Sequence, residues 1–381
     1  MNDQKICIIG DGLAGLMAAI ILSTENVKID LYSNKKKNNK NLDKRTTAIS
    51  ESNYQYIKKK LSFREQNLFW ICKKINLFYE DKKKIINFLN FEEKNRSLMH
   101  IFQNKKLKKK LDKIVSKTKK IKVIKKNIKD INNKEGSVAF EKKKIFYDLI
   151  ILSTGGYSKF YNAIEKDRSI EKNYEELGLT SIIKHNTKIE NVSQFFLKEG
   201  PLAILPFKKN AFSIVWSVST KFFNINKKNI KIIVIEKLRD LLKTKELKNI
   251  ANIQSFPINL SLKTKYFKKN VLILGDGLHA VHPMAGQGFN LVLRDIKKLA
   301  DLISTTLKLG LLIKDSFVLK DFYNARKPEN NLFGFSINLT NIFFKDKKYF
   351  SFIKRGILNN INRFSLIKKI SQSVSDRGVL F

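Results

Sequence analysis

Three glycines near the beginning of the chain have the spacing of a phosphate-binding turn. They form a G-x-G-x-x-G pattern directly after the apolar run of residues 5–9, and a helix-forming apolar segment follows. In such a turn the glycines permit a tight exit from a strand, close approach of the backbone to a pyrophosphate, and tight packing of helix on strand. Free N–H groups at the start of the helix then face the anion. The predicted dinucleotide contacts are Gly10, Gly12, Leu13, Ala14 and Gly15.

The acidic residue that usually holds the ribose hydroxyls, roughly 20 positions after such glycines, is missing. If Ile29 and Leu31 of the second predicted strand face one side, Ser33 stands where a glutamate is typical, and Asp30 has the opposite parity. A serine can accept a hydrogen bond but cannot chelate two hydroxyls. We therefore expect Ser33 to contact the nucleotide and the nucleotide affinity to be reduced.

A second stretch, residues 274–291, combines a carboxylate, a proline and several glycines after a buried strand. Asp276 would lie at the carboxyl edge of a sheet, where ligands of open α/β sheets bind, and could accept hydrogen bonds from a ribityl chain. The amino end of the following helix carries about half a positive charge, which would stabilise an anionic reduced flavin. The predicted contacts here are Gly275, Asp276, Pro283, Gly286, Gln287, Gly288, Phe289 and Asn290.

Residues 276–295 resemble the flavin-binding signature of the class A flavoprotein monooxygenases, and specifically the ubiquinone-biosynthesis hydroxylases. Residues 43–49 resemble the D-x-R segment of this family, which implies that Arg45 approaches the FAD phosphates. Residues 101–104 resemble a stretch before a helix near the flavin, which implies a role for Gln103. One departure is Gly155, which stands where the family carries an aspartate that serves both FAD and the nicotinamide.

The resemblance implies an FAD-dependent aromatic hydroxylase with NAD(P)H as co-substrate. Reduced FAD would react with O2 to a C4a-hydroperoxyflavin, which would transfer one oxygen atom to the phenol-type ring of a polyprenylated ubiquinone precursor. FAD would do this chemistry itself, while the protein supplies orientation and a dry cavity. No catalytic base is assigned, no metal site is expected, and His279 and His282 stay open between a chemical role and packing.

Two alternatives within flavin proteins stay open. One is an oxidoreductase of the same superfamily that inserts no oxygen. The other, suggested by Ser33 and Gly155, is a catalytically weakened accessory flavoprotein of a quinone-biosynthesis complex.

The surrounding pattern predicts an α/β fold: a Rossmann-like FAD-binding domain of the para-hydroxybenzoate hydroxylase type, with an inserted, mainly antiparallel β substrate domain and C-terminal helices. The FAD-binding domain is predicted to be discontinuous, over residues 1–75, 100–160 and 256–320. The substrate domain takes residues 76–99 and 161–255, and the helical region residues 321–381. Residues 51–120 are expected to be helical, and residues 35–44 a solvated loop rich in Lys and Asn.

The chain of 381 residues has a formal net charge of +41, which invites a nucleic-acid or anionic-membrane interpretation. Most of its basic residues are lysines, so we favour a lysine-coated surface and expect no nucleic-acid partner. With two cysteines and no signal peptide, a cytoplasmic location is expected. Beyond Tyr323 the chain is basic and amphipathic, including Phe343, Phe344, Phe350 and Phe352. Peripheral attachment to the inner face of a membrane, and association with other quinone-biosynthesis proteins, stay open.

Overall fold

The computed structural model describes residues 4–33, 43, 45–61, 67–82, 84–140, 143–156, 158–164, 169–345, 356, 358 and 365–378. The strands in chain order are β1 (Gln4–Ile9), β2 (Val27–Tyr32), β3 (Thr46–Ser50), β4 (Trp70–Cys72), β5 (Lys74–Asp81), β6 (Lys84–Glu92), β7 (Met99–Gln103), β8 (Ile121–Ile124), β9 (Asp130–Asn132), β10 (Ser137–Ala139), β11 (Lys144–Phe146), β12 (Leu149–Leu152), β13 (Ser169–His185), β14 (Val192–Phe196), β15 (Pro201–Lys208), β16 (Ala211–Ser219), β17 (Leu247–Ile250), β18 (Gln254–Lys263), β19 (Phe267–Lys268), β20 (Val271–Ile273) and β21 (His279–Ala280). The helices are α1 (Leu13–Leu22), α2 (Glu51–Leu61), α3 (Asn104–Lys117), α4 (Thr220–Asn226), α5 (Ile230–Leu242), α6 (Gly288–Lys308), α7 (Val318–Lys345) and α8 (Ser365–Arg377).

One sheet of the described residues carries the nucleotide-type topology. Its order is β19-β20-β12-β1-β2-β8, and the strands from β20 to β8 run parallel. In register, Ile9 lies beside Leu152, and Leu152 lies beside Ile273. The three strands therefore end together, and the loops that follow them meet at one carboxyl edge. This confirms the predicted Rossmann-like sheet.

The apolar composition of this region follows from burial on both faces of the sheet. The side chains of β12 are all buried, and α1 is buried from Gly15 to Leu22. Helix α6 packs against α1 with an apolar stripe that includes Leu293, Ile296 and Leu299. The core thus holds the beginnings of α1 and α6 near the same edge of the sheet.

The second large sheet is mainly antiparallel, in the order β21-β18-β13-β16-β15-β14-β5-β6, with β17 also paired to β13. Side chains of β16 alternate between two environments. Phe212 and Trp216 are fully buried in a core shared with α5, whereas Val215 faces the other side. Strand β18, through which the predicted boundary at residues 255–256 passes, belongs to this sheet.

The prediction of helices over residues 51–120 is wrong between α2 and α3, where the chain forms β4 to β7. Strands β5 and β6 form a hairpin whose turn includes Lys82, with φ +45°. Nearly every side chain of β5 is half-buried, because both faces of the strand are partly covered. The strand therefore lacks the clean alternation of buried and exposed positions by which a sequence reveals a strand.

The C-terminal region is helical where the structure describes it. Helix α7 continues through Pro328, and α8 packs back against α2. Among the segments interpreted from the sequence, Phe350, Phe352 and the loop at residues 35–44 apart from Asp43 lie outside the described residues.

Candidate functional site

A cavity of about 2660 Å³ lies between the two large sheets. Loops from the carboxyl edge of the parallel sheet line one side of it. Apolar side chains of the antiparallel sheet line another part, and they include Leu77, Phe88, Phe196, Leu205 and Val215. The cavity is polar beside the parallel sheet, where a charged cofactor could bind. It is apolar beside the antiparallel sheet, where an apolar substrate could bind.

The glycine turn after β1 is shaped by close backbone approaches. Gly10 has φ +120°, and a Cβ there would lie 2.1 Å from the carbonyl oxygen of Ser153. A Cβ at Gly15 would lie 2.0 Å from the carbonyl oxygen of Gly10. At Gly12 the opposite holds, because a Cβ would have no heavy atom within 4 Å and would stand in the cavity. The turn is thus tight against the protein and open beside the amino end of α1, as a pyrophosphate requires.

The second predicted stretch reaches the same place. A Cβ on Gly275 would lie 3.1 Å from the Cβ of Ala14, so the turn after β20 touches the start of α1. Asp276 is exposed to the cavity and makes no hydrogen bond or ion pair with the residues that the structure describes. A carboxylate with free acceptor oxygens therefore faces the space beside the glycine turn.

The loop before α6 is held by the side chain of Asn290. Its amide oxygen accepts hydrogen bonds from the backbone N–H of Ser50 at 2.8 Å and from Asn53 Nδ2 at 2.9 Å, and its Nδ2 donates to the carbonyl oxygen of Gly286 at 3.1 Å. Asn290 lines the cavity, but these polar atoms are engaged within the protein. It therefore positions the loop whose glycines open the amino end of α6 toward the cavity.

Arg45 lies at the cavity wall beside Asp43. Its Nε donates to Asp43 Oδ1 at 2.8 Å, and Asn104 Nδ2 donates to Asp43 Oδ2 at 2.9 Å. Burial alone would raise the pKa of Asp43, but these hydrogen bonds and the charge of Arg45 outweigh it and lower the pKa. Lys105 and Lys108 of α3 also line the cavity, and Lys108 Nζ lies 3.2 Å from Asp112 and 3.8 Å from Asp11.

The cavity brings together most of the residues predicted as cofactor contacts. Those that line it are Gly10, Gly12, Leu13, Ala14, Ser33, Arg45, Asp276, Pro283, Gly286, Gln287, Gly288, Phe289 and Asn290. Three others lie behind the wall. Gly15 and Gly275 act through the close approaches described above, and Gln103 ends β7 directly before α3.

Known proteins are similar to this chain in sequence and in architecture. A family model described as an FAD binding domain matches residues 138–310. The ubiquinone biosynthesis monooxygenase COQ6 of Dictyostelium discoideum is 26% identical over 282 residues, which cover 60% of this chain and 55% of that protein. The 3-demethoxyubiquinol 3-hydroxylase of Escherichia coli is 28% identical over 171 residues, which cover 42% of this chain and 44% of that protein. The aligned part spans about half the length of these curated relatives.

The crystal structure of p-nitrophenol 4-monooxygenase PnpA from Pseudomonas putida superposes with a TM-score of 0.79 over 99% of both chains, at 13% identity. That likeness concerns the fold, and the sequence matches add a similarity to an FAD binding domain and to ubiquinone-biosynthesis monooxygenases. The chain is thus similar to known monooxygenases in fold and, over residues 138–310, to FAD binding domains in sequence.

The acidic residue of β2 has a structural role. Asp30 is buried, forms an ion pair with Lys5 at 2.9 Å and accepts a hydrogen bond from the Tyr147 hydroxyl at 2.8 Å. Ser33 lines the cavity instead. No carboxylate of β2 therefore faces the cavity.

Tyr161 is a cavity residue that sequence reasoning missed. Its hydroxyl donates to the carbonyl oxygen of Gly155, and a Cβ on Gly277 would lie 1.9 Å from that hydroxyl oxygen. Burial raises the pKa of Tyr161 to about 12, so it stays a neutral hydrogen-bonding group. It braces the turn that carries Asp276 against the segment where the family's aspartate is replaced by Gly155. No spacing in the sequence marks this contact, because Tyr161 sits in a short 3₁₀ turn.

Helix α8 forms a further part of the cavity wall that the sequence did not reveal. The Asp376 carboxylate accepts hydrogen bonds from the backbone N–H and the hydroxyl of Ser52, both at 2.8 Å, and forms an ion pair with Arg96. Gln372 Nε2 donates to Glu93 Oε1 at 2.7 Å. Both residues of α8 line the cavity, so polar contacts join this helix to the rest of the cavity wall.

His279 and His282 are held by buried carboxylates. His279 Nε2 lies 2.6 Å from Asp295 Oδ2, and Asp295 in turn pairs with Arg326 at 2.6 Å. His282 Nε2 lies 2.9 Å from Glu176 Oε2. His279 lines the cavity, whereas His282 lies behind its wall. Both histidines thus fix the loop between β20 and α6 to the body of the protein.

We expect His282 to reduce stability in mild acid. Burial lowers the pKa of His282 to about 4, whereas a histidine in the unfolded chain titrates near about 6.5. Between these values the unfolded state binds a proton that the folded state does not, so the free energy of unfolding falls as the pH drops from about 6.5 to about 4. In urea titrations across this pH range, the free energy of unfolding of His282→Gln should fall less steeply with decreasing pH than that of the wild type. Equal slopes for the two proteins would contradict this assignment.

Proposed function

We propose that the chain is an FAD-dependent monooxygenase of the ubiquinone-biosynthesis hydroxylase type. Its substrate would be the aromatic ring of a polyprenylated quinone precursor, with NAD(P)H and O2 as co-substrates. One observation carries the proposal: the free Asp276 carboxylate and the open glycine turn share a cavity that continues into an apolar chamber. The names of the relatives support the substrate class, since those proteins are ubiquinone hydroxylases and monooxygenases.

The residues present fit FAD. The open space at Gly12 suits the pyrophosphate, Asp276 can accept hydrogen bonds from the ribityl hydroxyls, and Arg45 can approach the phosphates. The amino end of α6, which lacks a side-chain cap, can stabilise negative charge on the flavin ring. When bound, FAD would supply the transfer of electrons from NAD(P)H and the activation of O2.

The apolar chamber would orient the substrate and exclude water. Leu77, Phe88 and Phe196 come from three strands and line it, which suits a prenylated ring better than a charged metabolite. Exclusion of water from such a chamber would limit side reactions. These side chains would therefore help to orient the substrate and to keep water out of the chamber.

A weakened accessory flavoprotein is the second candidate. The observation that favours it is the absence of a carboxylate at Ser33 and Gly155, both of which line the cavity. Such a protein would bind FAD but show no oxidation of NAD(P)H stimulated by substrate.

Complementation of bacterial strains that each lack one ubiquinone ring hydroxylase tests the proposal. We expect the wild-type chain to restore quinone synthesis in one strain, with the hydroxylated intermediate identified by mass spectrometry. Asp276→Ala should be soluble, colourless and inactive, because the ribityl acceptor is lost. The matched control is Asp301→Ala, an exposed aspartate of α6 that does not line the cavity. Failure of soluble, FAD-loaded wild-type protein in every strain would refute the hydroxylase function and favour the accessory role.

A further inference from the structure

Helix α7 carries apolar side chains on the face that points away from the protein. Leu332, Phe335, Leu339 and Ile342 are 47, 41, 64 and 44% exposed. Their spacing of three, four and three residues puts them on one side of the helix. The opposite side, with Phe333 and Ile337, is buried against the body. We call the four exposed residues the α7 stripe.

The α7 stripe lies close to the apolar part of the cavity. Thr340 and Phe344, on the same turns of the helix, line the cavity. The Phe344 ring stacks on Phe196 with centroids 3.5 Å apart, and its centroid lies 5.7 Å from that of Phe88. One helix therefore presents an apolar face to the cavity and another to its surroundings.

The charges near the α7 stripe favour an anionic partner. The two acidic residues of α7, Asp321 and Glu329, both precede the stripe, and Lys345, which follows it, forms an ion pair with the buried Glu176. Lys172 reaches the flank of the helix, with its Nζ 3.2 Å from Asn338 Oδ1. The chain as a whole carries +41, so two copies would repel each other across a shared contact, whereas an anionic surface would be attracted.

We propose that the α7 stripe docks on the surface of an anionic lipid bilayer. An exposed apolar row on a basic protein combines the two terms that hold a helix at such a surface, namely burial of apolar side chains and attraction to anionic headgroups. Docking would bring the apolar part of the cavity next to the lipid. The inference rests on the proposed function only in that a polyprenylated substrate resides in the bilayer, which gives the contact its purpose.

Vesicle sedimentation of the full chain tests this docking surface. The probes are phosphatidylcholine vesicles with and without phosphatidylglycerol, and the variant is Phe335→Glu with Leu339→Glu. The matched control is Ile225→Glu with Ile232→Glu, which changes the charge equally at side chains that are 73 and 57% exposed on α4 and α5. We expect the wild type and the control to bind the anionic vesicles alike, and the stripe variant to bind roughly tenfold or more weakly.

Equal binding by the stripe variant and the wild type, or no binding by the wild type, would overturn the proposal. A wild-type dimer that the stripe variant converts to a monomer would assign the stripe to a second copy of the chain, and would also overturn it. FAD content and NAD(P)H oxidation with a soluble, prenyl-free phenol are measured in parallel. These readouts test the hydroxylase function, and the stripe variant should leave them unchanged, so the two proposals fail separately.

Discussion

Gly12→Val is expected to give a folded protein that has lost most of its affinity for FAD. A Cβ at Gly12 would meet no protein atom within 4 Å, so the substitution causes no clash and should leave thermal unfolding of the apoprotein unchanged. The added side chain would stand in the cavity beside the amino end of α1. Exclusion of the pyrophosphate from that position should raise the Kd for FAD roughly 100-fold, which corresponds to about 2.7 kcal/mol. Titration of the apoprotein with FAD measures the effect.

Two other glycine substitutions separate this effect from a loss of folding. Gly356→Val also adds a side chain where nothing lies within 4 Å, but outside the cavity lining, and should bind FAD normally. Gly15→Ala should instead destabilise the apoprotein, because its Cβ would lie 2.0 Å from the Gly10 carbonyl oxygen. An unchanged FAD affinity of Gly12→Val would mean that no phosphate binds beside α1.

Arg326→Met is expected to cause the largest loss of stability among the substitutions considered. Arg326 pairs with Asp295 at 2.6 Å and with Glu329, and donates to Asn330 Oδ1 at 3.0 Å. Asp295 is fully buried and Glu329 is 4% exposed. Removal of the guanidinium leaves two carboxylates without their main counter-charge, and breaking a buried pair in this way costs about 3–5 kcal/mol. Urea unfolding at neutral pH measures the change.

The matched control for Arg326→Met is Lys144→Met, which breaks an exposed pair with Glu135 and should cost less than about 1 kcal/mol. The pH dependence gives a second readout. Burial alone would raise the pKa of Asp295, but the charges of Arg326 and His279 outweigh it and lower the pKa. A carboxylate with a lowered pKa stabilises the fold above its unfolded pKa, and this contribution is lost as the pH falls. The difference between wild type and Arg326→Met should therefore shrink in acid. Equal losses for both variants would show that the network contributes little.

The parts of the site that the sequence predicts are those encoded in short segments. The glycine turn and the Asp276 stretch each follow a continuous apolar strand, so strand, turn and helix can be identified without knowledge of the rest of the chain. Their meeting at one edge follows from the parallel order of the sheet. The close approach of Gly275 to Ala14 is the contact that this strand order implies.

The parts that sequence reasoning missed depend on contacts between distant segments. The hairpin of β5 and β6 lacks alternation because it is partly covered on both faces. Asp376 meets Ser52 and Arg96 only after α8 folds back on the body. The engagement of Asn290 with Ser50 is likewise set by tertiary packing, which a residue type alone does not reveal.

The strand order of the parallel sheet bears on how the protein is made. Strand β1 is synthesised before the other strands of this sheet, and its neighbour β12 and the next strand β20 follow only after long intervening segments. In a polypeptide still growing on the ribosome, the edge of the apolar strand β1 that will pair with β12 is therefore unpaired. Unpaired strand edges of this kind are prone to aggregation. The carboxylate of Asp276 emerges later still, so FAD bound as proposed could stabilise the nascent chain only once α6 has left the ribosome.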